Sequence, residues 1–493
     1  MPDQRKQPAR ATGEEVDMSS QTPAGPELVS RGLSRRAFAG LLGGTPAAIF
    51  AACALKPPAH STPGGGIDLS TKRYRATFSW GINQRTEALA AAWNARYPNI
   101  QLEPVDRLAP GQGIAGVEKF LAAVAGDAAP DIVYFDRFHV ASFAHRGAFH
   151  PLDDLIKRDK YDLGRFMKAT VDEGYGIDGK LYAIPTGTDN RVLWWNREIF
   201  EESGLDPDKP PQDWAQLKEY SVRLTKREGG QLVRAGFWPT KGPAWLYIWG
   251  WLNGGEFLSK DARKATLNDP RNVQALEYIV ELYDVLGGFE AYEAFRRTHG
   301  SREQDPFHIG QIAIRLDGSW KIGDWARYAP QRRFAIGPNP PARAGMPTLT
   351  WSGGWSWIIP RNPREPEIAW ALIKWLVSEE GFLIGEEAAA AEARSMGQLY
   401  VFGGSSTAQL AIDKVLLERY PSGIPEIDKA REWWRDYMKV SRFRPLSPAA
   451  AEMWDALGQA WDDAVSRKKS AKQALDEAQQ ITQRALDEAW AGK

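Results

Sequence analysis

The sequence predicts an α/β protein divided into two lobes, and three observations carry that expectation. Its 493 residues, 43% hydrophobic and 25% charged, exceed what one core organises, so at least two domains are expected. Apolar strands alternate with amphipathic helices early in the chain, the pattern of βαβ units and a mainly parallel sheet. The stretch LYAIPTGTDNRVLWWNREIF, Leu181 to Phe200, then sets two strands on either side of a polar knot, Thr186 to Asn190. Pro185 removes a ladder donor and Gly187 tolerates backbone angles that other residues resist. The knot therefore marks a passage between lobes, with an ordinary β-turn in one sheet as the alternative.

Residues 1–33 are polar and without periodicity, and are set aside. Ser34-Arg35-Arg36-Ala37-Phe38 precedes an uncharged run through Ala52, too short for a permanent span and shaped like a signal-peptide core. This resembles a twin-arginine export signal. Phe50-Ala51-Ala52-Cys53 looks like a lipoprotein box, with Phe50 where leucine is usual and the chain's one cysteine as the lipidated residue. Lys56 to Gly66, rich in Pro, Gly and Ser, suits a tether that holds a folded body off a membrane.

Strands are expected at Arg73–Trp80, Ile100–Val105 and Asp131–Phe135, with helices at Gln84–Tyr97 and Val117–Ala125. Ligands of such sheets meet the loops at the carboxyl ends of strands, which places Trp80, Asp136 and Arg137 at a mouth. Gly111 to Gly116 matches GxGxxG, but the strand before it carries Glu103, Asp106, Arg107 and two prolines. A first dinucleotide-binding strand is apolar on both faces, so a flexible surface loop is the better reading.

Beyond the knot, Asp213 is placed to cap a helix, and Asn268-Asp269-Pro270 caps another. Gly236–Pro239 and Trp249–Gly255 read as aromatic loops. Phe307–Trp320 is a strand ending in a polar-aromatic turn, Phe334–Pro338 a short strand, and Trp351–Ile359 a crossing back. Helices then dominate, with Trp454, Leu457, Trp461 and Val465 on one stripe and Leu475, Ala478 and Ile481 on the next.

Sixty-two basic and 62 acidic residues cancel, so no field for steering nucleic acid exists. A single cysteine excludes an internal disulfide framework, and the six histidines never form HExxH. No metal, cofactor or catalytic residue is expected. Tryptophan is the abnormal quantity: 21 indoles outnumber 19 phenylalanines and 15 tyrosines, and several sit beside Gly, Asn or Asp. An indole offers a flat apolar face for a sugar ring and an N–H donor at its edge.

The ordered segments PDIVYFD, DGKLYAIPTGTDNRVLWWN, FHIGQIAIRLDGSW and GGWSW, followed by a helical C-terminus, resemble the family 1 extracellular solute-binding proteins of carbohydrate ABC transporters, over roughly Arg73 to Leu486. The resemblance implies a type II periplasmic-binding-protein fold, α/β, maltose-binding-protein-like, with hinge strands between lobes that close on a ligand. The expected division is an export signal at 1–52, a tether at 53–72, lobe 1 at 73–188 and 327–356, and lobe 2 at 189–326 and 357–493, with a third crossing near Trp325 to Phe334. Carried over by position, the implied ligand contacts are Trp80, Asp136 and Arg137 in lobe 1 and Asp189 and Arg191 at the hinge. Trp249, Trp251 and Asn253 form an aromatic wall, Asp317 and Trp320 a DGxW turn, and Gly354 with Trp355 the returning hinge. EEAAAAEARSMGQ after Gly381 departs from the family's pattern, and no residue is carried over from it.

The implied function is capture of a sugar or oligosaccharide and its delivery to transmembrane permease subunits. The protein is then an exported monomer, lipid-anchored at Cys53 on the outer face of the cytoplasmic membrane or free in the periplasm, with no nucleic-acid partner. Two alternatives stand beside it. One is an exported carbohydrate-active enzyme using paired carboxylates such as Asp136 and Asp189. The other is the same scaffold holding a non-sugar solute such as a glycerol phosphodiester.

Overall fold

The computed structural model describes residues 69, 72–108, 114–240 and 243–491, all within one unit, Gly65–Lys493. The export signal, Cys53 and most of the tether lie outside the described residues, as do the first three glycine-loop positions.

Two sheets organise the body. The first runs β2-β1-β3-β11-β4, from strands β1 (Tyr74–Ser79), β2 (Ile100–Val105), β3 (Ile132–Asp136), β4 (Ala183–Pro185) and β11 (Trp355–Ile358). Strands β1, β2 and β3 are parallel and β11 runs antiparallel to both neighbours. The helix Gln84–Arg96 starts at Asn83, whose side chain accepts from Thr86 while Thr86 reaches back, a reciprocal cap. β2 is an edge strand, which removes the central position that a dinucleotide site requires.

The second sheet runs β12-β10-β5-β8-β7-β6, with β9 also paired to β5. Its strands are β5 (Asp189–Asn196), β6 (Lys226–Glu228), β7 (Gln231–Trp238), β8 (Ile312–Gly318), β9 (Phe334–Gly337), β10 (Thr350–Gly353) and β12 (Ser441–Phe443). Asp213 and Asp269 cap the helices Trp214–Leu224 and Pro270–Val285 as expected.

The chain leaves the first sheet between β4 and β5 and returns between β10 and β11, through Gly354 alone. This corrects the expected division. Residues 334–353 belong to the second sheet, while the helices Pro366–Leu376 and Glu379–Ser395 cover the first, where Arg85–Glu386 and Arg96–Glu380 tie them down. The helix Lys321–Tyr328 and β9 stay together on the second sheet, so no crossing lies near Trp325 to Phe334. The chain passes over again after Ser395, where Ser406 pairs with Thr188, before the helices Pro425–Tyr437, Ala450–Val465 and Ala471–Ala491 join the second core. Leu457, Trp461, Val465, Leu475 and Ala478 are buried as expected, whereas Ile481 is exposed and Thr482 takes its inward place.

Two aromatic loops are also corrected. Phe237 and Trp238 end β7, and Trp249 to Leu252 end the helix Pro243–Leu252. Position 250 within that helix takes glycine because a Cβ there would lie 2.5 Å from Asn272 Oδ1 and 2.6 Å from the Phe257 ring. That glycine reports close packing.

Candidate functional site

On the first sheet, β1, β3 and β11 set aromatic residues side by side on one face. Trp80 stacks on Tyr134 at 4.9 Å, and Tyr134 stacks on Trp355 at 4.9 Å with planes 9° apart. Trp357, fully buried, meets Trp80 and Tyr134 edge-on beneath them. Arg107 joins this stack with its guanidinium carbon 3.9 Å from the Trp355 centroid and 5.5 Å from that of Tyr134. On the face opposite Tyr134 it would sit about 7 Å or more from the tyrosine, since stacked planes lie about 3.5 Å apart. Arg107 and Tyr134 therefore share one face of Trp355 and leave the other clear of both.

Ser79 places Arg107, because its hydroxyl accepts from Leu108 N–H at 2.6 Å and donates to the Asp106 carbonyl at 2.9 Å. The residues on both sides of Arg107 are thus held against the end of β1. Burial pushes the Tyr134 hydroxyl up to about 12 against the lowering effect of Arg107 and Arg85. It stays a neutral donor at physiological pH.

Across the hinge, the second sheet supplies a cluster of arginine and indole. The Arg191 guanidinium lies 3.4 Å from the Trp351 centroid, 4.8 Å from Trp320 and 5.8 Å from Trp245, and pairs with Asp189 at 2.6 Å. Burial pulls Arg191 down to about 10, Asp189 opposes that shift, and nearby Arg444 adds to it. Arg191 remains a cation. Arg444, just past β12, lies 4.8 Å from the same Trp351 ring and reaches Asp136 of the first lobe at 3.0 Å.

Several expected contacts are corrected by their partners. Arg137 is fully buried, and its five N–H donors go to Glu173, Thr188 Oγ1 and the carbonyls of Gly187, Gly353 and Trp355. It staples the two hinge crossings together and has no donor left for a ligand. Asp136 caps the turn at Phe138 N–H and holds Arg444, so its carboxylate is committed between lobes. Trp249 and Trp251 are 2% and 3% exposed within the second core. Asn253 donates to Arg271 O and Gln274 Oε1 on the rim of a 260 Å³ surface groove lined also by Trp214 and Tyr278. Asp317 accepts from Gly318 N–H and pairs with Arg315 at 3.3 Å, which serves the turn.

Trp80 and Trp355 stand in one aromatic row with Tyr134 on the first sheet, and Asp189, Arg191 and Trp320 in one cluster on the second. Gly354 is the pivot: its φ is +142°, and a Cβ would collide with the Gly187 carbonyl oxygen and lie 2.7 Å from the Arg137 guanidinium.

The comparisons with known proteins agree with this geometry. Residues 81–381, more than half of the chain, match the family described as bacterial extracellular solute-binding protein. The chain belongs to that family. The arabinooligosaccharide-binding protein of Bacillus subtilis (strain 168) is 26% identical over 311 residues, 62% of this chain and 69% of the relative. The sn-glycerol-3-phosphate-binding periplasmic protein UgpB of Shigella dysenteriae serotype 1 is 27% identical over 270 residues, 52% of this chain and 58% of the relative's length. Among solved structures, CpMnBP1 with mannobiose bound superposes with a TM-score of 0.69 at 25% identity, covering 83% of this chain and all of that one. The fold is the two-lobed architecture of maltose-binding-protein-like proteins.

In this solute-binding protein the residues that sequence reasoning passed over are Arg107, Tyr134, Trp245, Trp351 and Arg444. Tyr134 was legible in principle, since it lies two residues before Asp136 on a strand whose end faces the mouth, and so shares its face. Arg444 had no such signal, because it depends on a three-residue edge strand pairing with β10.

Proposed function

We propose that this solute-binding protein captures a sugar or oligosaccharide between its two lobes and hands it to the permease subunits of an ABC transporter. The observation that carries the reading is the clear face of Trp355, a half-buried indole outside all the apolar cores, at a crossing between lobes and beside guanidinium donors. A sugar ring needs such a surface for its C–H face and charged or polar edges for its hydroxyls. The proposed contacts are Trp80, Trp355, Asp189, Arg191 and Trp320, with Arg107 and Arg444 added, the buried Trp351 ring backing Arg191, and Gly354 as the pivot. Of the proteins named above, one binds an arabinooligosaccharide and the solved one holds mannobiose, which supports the carbohydrate class, while the third binds sn-glycerol-3-phosphate and supports the non-sugar alternative.

An enzymatic reading through Asp136 and Asp189 has less support, since each carboxylate is committed to a guanidinium. The protein is proposed to act as an exported monomer anchored through Cys53. Among the described residues no helix is long and apolar enough to cross a membrane.

A thermal-shift screen with arabino-, manno- and maltooligosaccharides tests the binding, because a ligand that binds only the folded state raises the melting temperature by mass action. Small-angle scattering with the best ligand should then show compaction as the lobes close. Absence of any shift across the panel would contradict the reading. For the anchor, Cys53→Ala should release the exported protein from the membrane fraction, and retention there would contradict lipidation.

A further inference from the structure

The charges at the mouth do not balance, and the surplus falls on one residue. Arg137, Arg191 and Arg444 converge on Gly353: Arg137 donates to its carbonyl at 2.7 Å, and Nη atoms of Arg191 and Arg444 lie 3.4 and 3.6 Å from where a Cβ would stand. Each of these three has its own carboxylate, Glu173 at 2.9 Å, Asp189 at 2.6 Å and Asp136 at 3.0 Å. Arg85, beside Trp80, pairs with Glu386. Arg107 has none among the described residues, and its contact is the ring of Trp355.

Hydrogen bonding tells the same story. Arg107 Nη2 is buried and makes no hydrogen bond within the protein, and the same holds for Arg191 Nε and for Arg444 Nε and Nη1. Arg191 and Arg444 are 7% and 3% exposed. Each unmet donor carries an uncompensated desolvation cost, and a larger one on a cation. Closing the lobes deepens that cost for an uncompensated guanidinium, unless the ligand supplies the missing charge.

Resting on the sugar-binding reading above, we infer that the ligand is an acidic oligosaccharide, one carrying a carboxylate or phosphate group that Arg107 receives. A sugar unit on the clear face of Trp355 is separated from Arg107 by the thickness of the indole. The acidic group therefore belongs to a substituent or neighbouring unit that reaches past the indole rim, and a disaccharide or longer ligand has that reach. A guanidinium fits either anion, since both offer paired oxygens to its planar fork.

Isothermal titration of the full chain tests this with matched probes: short uronate oligomers, the same oligomers with their carboxylates methyl-esterified, neutral arabino- and mannooligosaccharides, and a disaccharide phosphate. The acidic form is expected to bind at least about tenfold more tightly than its ester at low salt, the scale of one hydrogen bond to a charged group. That advantage should shrink as salt is raised and vanish in Arg107→Gln, while Arg107→Lys keeps part of it. Arg107→Lys separates lost charge from lost packing. Tight binding of the phosphate in place of the uronates supports the inference with phosphate as the anion. If esterified or neutral sugars bind as tightly as acidic ones, the inference falls and sugar binding stands. If no probe of any series binds, both fall.

Discussion

WGWLNGG, at Trp249 to Gly255, closes a buried helix, whereas WSGGWSW, at Trp351 to Trp357, carries the chain from one sheet to the other. Both segments mix indoles with glycine, and both were expected to offer aromatic faces to a ligand. In the first, glycine lets Asn272 and Phe257 approach the backbone, and Trp249 and Trp251 point into the core. In the second, Gly354 takes a left-handed angle between two strands of different sheets, and Trp355 stays half-buried and outside every core. Glycine beside tryptophan therefore reports a crowded backbone in either case. What separates the two is the flanking pattern: PAWLYIWGWL is apolar on all sides, the mark of a helix buried all round.

The largest effects should come from the core side of this comparison. Trp249→Ala should cost about 3–5 kcal/mol of stability by denaturant melts, with sugar affinity unchanged in the protein that remains folded. A loss of affinity without loss of stability would return Trp249 to the site. Arg137→Gln is expected to cost a similar amount, about 3–5 kcal/mol, because it leaves the buried Glu173 carboxyl without its partner and frees the carbonyls of both crossings. If that variant keeps wild-type stability, the staple joining Gly187, Gly353 and Trp355 carries no weight.

A smaller effect concerns pH. Burial pushes the Glu173 carboxyl from 4.5 up to about 7, outweighing the lowering by Arg137 and Arg444. The native state then holds this proton more firmly than the unfolded chain, so its contribution is complete below pH 4.5 and is lost as pH rises through about 7. Melts taken between those limits should show stability falling with pH by this share, and Glu173→Gln should flatten that component. An unchanged slope in Glu173→Gln would assign the pH dependence elsewhere.

Much of the fold was legible from short-range signals. β2 has the expected bounds, and the caps at Asp213 and Asp269 sit where Asx residues precede helical periodicity. The hinge at Thr186 to Asn190 was visible because Pro185 and a polar knot interrupt two apolar runs. The lobe membership of residues 327–356 was not, since either sheet could accept β9 and β10 and only pairing with β5 decides. The site followed the same rule. Trp80 was read from the end of a strand and Trp355 from two glycines at a crossing, whereas Arg137 and Asp136 look like ligand contacts until their partners, Gly187, Gly353 and Arg444, are brought from far along the chain. Charge type was readable and charge commitment was not.

The central claim is that Trp355 faces a sugar held between the lobes, and titration of Trp355→Ala with the oligosaccharide found by the screen, run beside denaturant melts without ligand, tests it most directly. The account predicts a loss of about 1–3 kcal/mol in binding, the scale of a buried aromatic contact, with ligand-free stability falling by only about 1–2 kcal/mol, the scale of the one stack with Tyr134 and the one guanidinium contact with Arg107. Unchanged affinity together with a stability loss of about 3–5 kcal/mol would make Trp355 a core residue and contradict the account.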